Sequence, residues 1–374
     1  MSGLKESILG MLLKTFLGGE FPMLEGSPKP DKWYTVSVPE ARSSDGGRWH
    51  GYLRKGRRNN LVVYFFGGGV SPDDYSAARP HSSSGGFYNP GLNTDLNIMA
   101  NAMTRWGIGS QAKTNPFRDW SFIVVPYCNG DFHAGAGQRT YVTAEGEESR
   151  IFYEGHRNYR LLMAAAMRHI DSSPGALLIA GASAGGFGSA LLADDVAQHF
   201  PSVQNVTVCV DSSVLIFDNW HEVLTQQWTS PKTISDQVHG NNITLDALTA
   251  LHDKYGNRMK LLFDCSVRDY ALAQTQVYFD EGHMPERATR EHADRFQQLL
   301  QGTVSGIQHK VPHAGIFIWD DVTEKSAHLS RHTAIGLNFM FKRQEDGTSI
   351  SEWIIDAVNG SVSSHGIELL ERTY

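Results

Sequence analysis

The sequence predicts an α/β fold in which a mainly parallel central sheet is flanked by helices. Short apolar runs recur along the chain, and they are continuous rather than alternating, which indicates strands buried on both faces. Helical patterns such as residues 159–170 and 287–300 lie between several of these runs. This alternation is typical of parallel strands joined by helices. The predicted strands of this set are residues 61–66, 122–127, 176–180, 206–210, 259–263 and 315–319.

The remaining segments predict one domain with embellishments. Residues 33–38 and 49–54 indicate an antiparallel pair that precedes the parallel strands. We expect residues 1–30 to form an N-terminal helical extension and residues 31–374 to form a single domain. Within that domain, two long insertions near 71–120 and 212–258 follow predicted strands, where lids and binding walls of such folds are built.

Composition excludes some classes of protein. The chain has 374 residues and a formal charge of −7, which argues against a nucleic-acid partner. Its odd number of cysteines, Cys128, Cys209 and Cys265, indicates buried free thiols rather than a disulfide framework. Lys14 interrupts the apolar N-terminal stretch, and no apolar run is long enough to span a membrane. We therefore expect a cytoplasmic protein, or a secreted one shown without its leader, and the sequence leaves its oligomeric state open.

The segment GASAG places Ser183 between Gly181 and Gly185. A serine that attacks a carbonyl stands on a tight strand-to-helix turn, where only small neighbours fit. The apolar run 176–180 before it and the helical pattern 186–200 after it supply that context. The alternative is a helix N-cap serine in a glycine-rich segment.

A second glycine cluster follows the first long apolar strand, which ends directly at Gly67, Gly68 and Gly69. Three glycines leave backbone N–H groups bare, so Gly68 and Gly69, together with the N–H of Ala184, are candidate donors of an oxyanion hole. A flexible turn is the other interpretation of the same residues.

Activating a serine requires a histidine, and the histidine requires an acid. Asp269 follows a predicted strand in a loop and is the preferred acid. Asp211, at the end of another strand, is the reserve. Asp264 is disfavoured because it lies nearly inside its strand.

The sequence contains sixteen histidines, so position rather than residue type selects the base. His328 and His332 both follow the last predicted strand, whereas His313 precedes it and is expected to be structural. His332 is preferred because it opens an apolar stretch, 332–341, with a helical pattern that would hold the ring rigidly.

Taken together, YFFGGGVS, NPFRDWSFIVVPYCNGD, YEGHRNYRLLM and GASAGGFGSA, in this order, resemble the pectin acetylesterase and Notum family of serine carboxylesterases. The resemblance implies an α/β-hydrolase-like fold and hydrolysis of O-acyl esters without a metal or other cofactor. It assigns Ser183, Asp269 and His332 as the triad, although the plant branch of the family would favour His328. Its substrates would be acylated small molecules, polysaccharides or lipids.

Several points depart from the family or stay open. Val70 and Ser71 stand where the family usually has tryptophan and often cysteine, so the wall beside the oxyanion hole is altered. Asp131 and His133 are expected to brace their loop rather than to line the pocket. The apolar residues of 212–228 fit either an acyl pocket or a lid packed on the core. A noncatalytic acyl- or glycan-binding protein and a peptidase are the alternative functions.

Overall fold

The fold is organised around an eight-stranded sheet with the strand order β1-β2-β4-β3-β7-β8-β9-β10. The computed structural model describes residues 21–81, 86–92, 105–143 and 145–374. The first two strands pair antiparallel with each other, and β2 pairs antiparallel with β4. All pairs from β4 through β10 are parallel. The strands of this sheet are β1 Trp33–Arg42, β2 Arg48–Arg54, β3 Asn60–Phe65, β4 Ser121–Val125, β7 Ala176–Ala182, β8 Val206–Asp211, β9 Met259–Ser266 and β10 Gly315–Trp319.

Two small sheets and the helices complete the described structure. The hairpin of β5 Gly137–Val142 and β6 Glu148–Tyr153 stands apart from the main sheet, as do β11 Val322–Glu324 and β12 Leu329–Ser330. The helices are α1 Asp74–Ala77, α2 Gly155–Ala166, α3 Ala184–Gln198, α4 Trp220–Glu222, α5 Lys232–Ser235, α6 Ile243–Tyr255, α7 Tyr270–Glu281, α8 Arg290–Lys310 and α9 Ile350–Val358.

Every residue of β4, β7, β8 and β10 is buried. Continuous apolar sequence and two-sided burial therefore coincide, and the predicted fold class is confirmed. Burial also explains the three cysteines, since Cys128, Cys209 and Cys265 are free thiols with 0% exposure. No helix within the described ranges is long and apolar enough to cross a membrane.

The predicted N-terminal helical extension covers residues 1–30, of which 1–20 lie outside the described residues. Residues 21–30 contain turns and one bridge, Met23 with Thr35, and no helix. The insertion near 71–120 is described only in part, with α1 and a 3₁₀ turn at Gly107–Gly109. The insertion near 212–258 is helical, with α4 to α6 and a π-helical turn at Val223–Gln227.

Candidate active site

Ser183 is the single residue between β7, which ends at Ala182, and α3, which begins at Ala184. Its backbone has φ 58° and ψ −127°, a conformation that non-glycine residues rarely adopt. Such strain costs about 1 to 3 kcal/mol and persists only where the surroundings impose it, most often at functional sites. The structure therefore puts Ser183 on a strained elbow at the carboxyl edge of the sheet.

The neighbouring glycines are required by contact distances. A Cβ on Gly181 would lie 2.0 Å from the carbonyl oxygen of Gly185, and one on Gly185 would lie 2.0 Å from that of Phe65. A Cβ on Gly67 would lie 2.5 Å from the carbonyl oxygen of Ala182. Since backbone atoms meet at these contacts, no larger residue fits without moving the strand or the helix.

Bare amides surround the elbow. The N–H groups of Gly68, Gly69 and Ala184 donate no hydrogen bond to any described residue. The carbonyls of the two glycines are occupied instead, because Gly68 accepts from the N–H of Asn89 at 2.9 Å and Gly69 accepts from the Tyr127 hydroxyl at 2.9 Å. Gly67, Gly68 and Gly69 are half-exposed. Ala184 itself is 2% exposed. Fixed carbonyls and N–H groups without an internal partner are what an oxyanion site needs.

Asp269 and His332 meet although 63 positions separate them in the chain. His332 Nδ1 lies 2.8 Å from Asp269 Oδ2. The other carboxylate oxygen, Oδ1, accepts from the N–H groups of Ala271 and Leu272, both at 3.0 Å, and so caps helix α7. Capping fixes the orientation of the carboxylate. Because the carboxylate occupies His332 Nδ1, Nε2 is the ring nitrogen that remains free.

The other candidates lie elsewhere. Asp264 is buried inside β9, where Oδ1 accepts from the Trp319 indole N–H at 3.2 Å. His328 pairs through Nε2 with Asp320 at 3.1 Å. His313 is exposed in the turn before β10.

The helical structure predicted for segment 332–341 is wrong. The segment consists of turns followed by a 3₁₀ turn at Asn338–Phe341. Asp211 accounts for the difference, because its Oδ2 accepts from the N–H groups of Ala334 and Ile335 at 2.8 Å each. Because these two amides donate to a side chain rather than to helical carbonyls, the backbone of this segment forms turns instead of a helix. Asp211 therefore holds the loop of His332 and makes no hydrogen bond to the ring.

The two ends of the candidate triad are not joined by a hydrogen bond. Among the described residues, neither Ser183 Oγ nor His332 Nε2 has a hydrogen-bond partner. Bonds of this kind are often long in unliganded enzymes and close when substrate binds. Ser183 is half-buried and the His332 side chain keeps 16% exposure, so both groups are accessible.

The environment of His332 sets its proton affinity. Burial lowers the pKa of His332, but the charge and the hydrogen bond of Asp269, with a contribution from Asp211, raise it above the ordinary 6.5. The protonated ring therefore stabilises the fold fully below pH 6.5, and this contribution is lost as the pH rises through the raised folded pKa.

A general base must be unprotonated, so with His332 in that role kcat/KM is expected to fall on the acid side with a midpoint above pH 6.5. A pH profile of p-nitrophenyl acetate hydrolysis measures this midpoint. Asp269→Asn should move it to lower pH, because the negative charge beside the ring is removed. A wild-type midpoint well below 6.5 would contradict the assignment of His332 as the base.

Asp131 and His133 brace the segment next to the glycine cluster. His133 Nε2 lies 2.8 Å from the carbonyl oxygen of Phe66, the residue before Gly67. Asp131 accepts from the N–H of Gly155 at 2.7 Å and from that of His133 at 3.1 Å. Burial raises the pKa of Asp131 to about 7 and lowers that of His133 to about 4. Both side chains are fully enclosed and support the loop.

The wall beyond the glycine cluster differs from the expected family pattern. Val70 and Ser71 are 2% and 0% exposed. The Trp228 indole N–H donates to the carbonyl oxygen of Ser71 at 2.8 Å, and Ser71 Oγ lies 2.8 Å from the Tyr153 hydroxyl. A tryptophan from the second insertion thus packs beside this wall.

Arg268 supports the candidate site, although the sequence alone did not identify it. Its guanidinium is buried and donates to the carbonyl oxygens of His328 at 2.8 Å and Ala327 at 3.2 Å, while its own carbonyl accepts from the N–H of Ser330 at 2.8 Å. Arg268 thereby ties the loop of Asp269 to the segment that leads to His332. Its position directly before the candidate acid Asp269 in the sequence could have indicated this supporting role.

Within the described ranges, no group of three or more His, Cys, Asp or Glu side chains is arranged to hold a metal ion. A parallel sheet with a strained serine at its carboxyl edge defines the α/β-hydrolase-like class of protein. Residues 35–276 match the family described as Pectinacetylesterase. Because the match covers more than half of the chain, the chain belongs to the pectinacetylesterase family. This membership supports a carboxylic ester hydrolase that acts on acylated substrates.

Solved structures give the same fold. The chain is similar to the Wnt deacylase Notum from Drosophila, with a TM-score of 0.56 and 16% identity, over 89% of this chain and 95% of that one. At this identity the likeness shows the fold alone. No curated protein matches the chain at a significant level.

Proposed function

We propose that the chain is a serine carboxylic ester hydrolase in which Ser183 is the nucleophile, His332 the base and Asp269 the acid. The observation that carries the proposal is the 2.8 Å contact between His332 and Asp269. The loop of His332 is held at the same edge of the sheet as the strained Ser183. Family membership supports the same class of reaction.

In this mechanism, Ser183 Oγ attacks the acyl carbonyl carbon while His332 Nε2 takes the hydroxyl proton. The carbonyl oxygen becomes an oxyanion that accepts from the N–H groups of Gly68, Gly69 and Ala184. Each such donor contributes about 3 to 4 kcal/mol to the stability of the transition state. His332 then gives its proton to the leaving alcohol as the ester C–O bond breaks. Water attacks the acyl-enzyme by the same steps, which releases the carboxylic acid and restores Ser183.

The packing of the second insertion favours a short acyl group. Trp220 and Trp228 are 0% exposed, so neither borders a space large enough for water. The Trp228 ring lies 5.3 Å from that of Phe132, and the Trp220 ring lies 5.0 Å from that of Phe279. These apolar side chains are used to attach the insertion to the core, which supports the lid interpretation over a long acyl pocket. The family description, which names an acetylesterase, agrees with this choice.

We therefore expect kcat/KM to be highest for p-nitrophenyl acetate or propionate and to fall by at least about tenfold for the octanoate, because the longer chain lacks an apolar surface to bury. Initial rates across the ester series, corrected for spontaneous hydrolysis, measure this preference. The Ser183→Ala protein is the matched blank. A rate that rises steadily to octanoate would contradict the short-acyl assignment.

A noncatalytic binder is the competing function, and turnover separates the two. A fluorophosphonate probe should inactivate the wild-type protein and stop hydrolysis of p-nitrophenyl acetate with the same time course. Absence of both hydrolysis and inactivation in folded protein would favour the binder. Cleavage of the matched p-nitroanilide at a rate comparable to the ester would favour a peptidase.

A further inference from the structure

Asp211, the last residue of β8, contacts both parts of the candidate site. Its backbone carbonyl accepts from the N–H of Ser183 at 2.8 Å. Its carboxylate Oδ2 accepts from the N–H groups of Ala334 and Ile335, two and three residues after His332. One residue thus links the chain segment of the nucleophile to that of the base.

The two residues after Asp211 strengthen the nucleophile side of this link. Ser213 Oγ donates to the carbonyl oxygen of Ser183 at 2.7 Å, so both backbone polar groups of Ser183 are bound by segment 211–213. Ser212 has φ 52°, a left-handed conformation that a non-glycine residue adopts only under constraint. Ser212 lies between Asp211 and Ser213, the two residues of this segment that contact Ser183.

The carboxylate of Asp211, which binds the loop of His332, is itself fixed by its neighbours. Its Oδ1 accepts from the Ser212 hydroxyl at 2.8 Å, and Asp264 is its register partner on β9. Burial and the neighbouring Asp211 charge raise the pKa of Asp264 well above its ordinary value. Burial raises the pKa of Asp211 as well, and its three hydrogen-bond donors, the N–H groups of Ala334 and Ile335 and the Ser212 hydroxyl, oppose that rise.

We propose that Asp211 is a positioning residue that fixes the spacing between Ser183 and His332. The inference rests on the proposed function, since it concerns the same nucleophile and base. The carboxylate of Asp211 makes no hydrogen bond to Ser183 Oγ or to the His332 ring. Asp211 holds the Ser183 segment through its backbone carbonyl and the His332 segment through its buried carboxylate, at the end of a central strand. Small errors in such spacing reduce the rate strongly without changing substrate affinity.

Two substitutions separate positioning from folding. Asp211→Leu keeps the branching of the side chain in a larger volume and removes the acceptor, whereas Asp211→Asn keeps a side-chain oxygen that can accept both N–H groups. For p-nitrophenyl acetate, we expect Asp211→Leu to lower kcat per folded molecule by at least about 100-fold with KM within about threefold. Asp211→Asn should remain within about tenfold of the wild type. Circular dichroism and Tm establish the folded fraction.

Charge gives a second readout. Asp211→Asn should also move the acid limb of the pH profile to lower pH, because Asp211 helps to raise the pKa of His332. Asp269 and Tyr270 are the other titratable groups that face His332. Of the residues that the structure describes, the titratable groups that face Asp211 are His332, Asp264, Tyr64, Cys209 and Cys265.

If both variants lower Tm but keep kcat per folded molecule within about threefold, Asp211 is only structural and the proposal is overturned. If Asp211→Leu does not fold, Asp211→Ala, which also removes the acceptor, takes its place, and kcat per folded molecule within about threefold of the wild type overturns the proposal. Ser183→Ala distinguishes the two levels of inference. Hydrolysis that survives Ser183→Ala refutes the proposed function itself, whereas an inactive Ser183→Ala beside unaffected Asp211 variants refutes only the positioning role.

Discussion

Ser183→Gly is expected to abolish ester hydrolysis while raising the free energy of unfolding. At φ 58° a serine carries steric strain of about 1 to 3 kcal/mol, which glycine does not. The extra backbone entropy of glycine in the unfolded chain offsets about 0.5 to 1 kcal/mol of this gain. The net stabilisation should therefore be about 1 kcal/mol. Loss of the nucleophile should lower kcat by at least about 10⁴-fold.

Two further variants control this experiment. Ser183→Ala removes the hydroxyl but keeps the Cβ and its strain, so it should be inactive without a comparable gain in stability. Ser189→Ala removes another buried hydroxyl, one that donates to the carbonyl oxygen of Gly186 within α3, and should keep turnover. Steady-state rates and chemical denaturation measure the two effects. Activity in Ser183→Ala, or a Ser183→Gly protein less stable than Ser183→Ala, would contradict the role and the strain assigned to Ser183.

His332→Ala is expected to lower kcat by at least about 10⁴-fold, because the proton of Ser183 then has no acceptor. His328→Ala is the matched control on the same loop. His328 pairs with Asp320 and its ring lies 4.2 Å from that of Tyr374, so its loss should affect stability more than rate. We expect turnover within about tenfold of the wild type in this control. The opposite ranking of the two variants would reassign the base to His328.

Local patterns predicted the fold and the elbow because both depend on neighbours in sequence. Continuous apolar runs specify two-sided burial, and Gly181 is imposed by its contact with Gly185 within the turn, whereas Gly185 is imposed by Phe65 of the neighbouring strand β3. The predicted strand and helix left residues 181–185 as the turn, whereas the structure extends both elements to Ser183. Element boundaries depend on hydrogen bonds that the pattern does not contain.

The choice between acids and between bases depended on distant contacts. Asp269, Asp211 and Asp264 all follow or end apolar strands, and only the fold shows that Asp269 reaches His332. The helical expectation for 332–341 failed for a related reason, because a carboxylate from β8 takes the amides of that loop. The apolar residues of 212–228 were equally ambiguous until their packing was visible. The catalytic roles of the triad and of the oxyanion donors stay predictions, which the experiments above test.

The most direct test is to locate a trapped covalent adduct. After reaction with a fluorophosphonate, intact mass and peptide mapping should show one phosphonyl group per chain, on the peptide that contains Ser183, and none in His332→Ala over the same period. An adduct on a different serine, or full esterase activity in protein that carries the adduct on Ser183, would contradict the account.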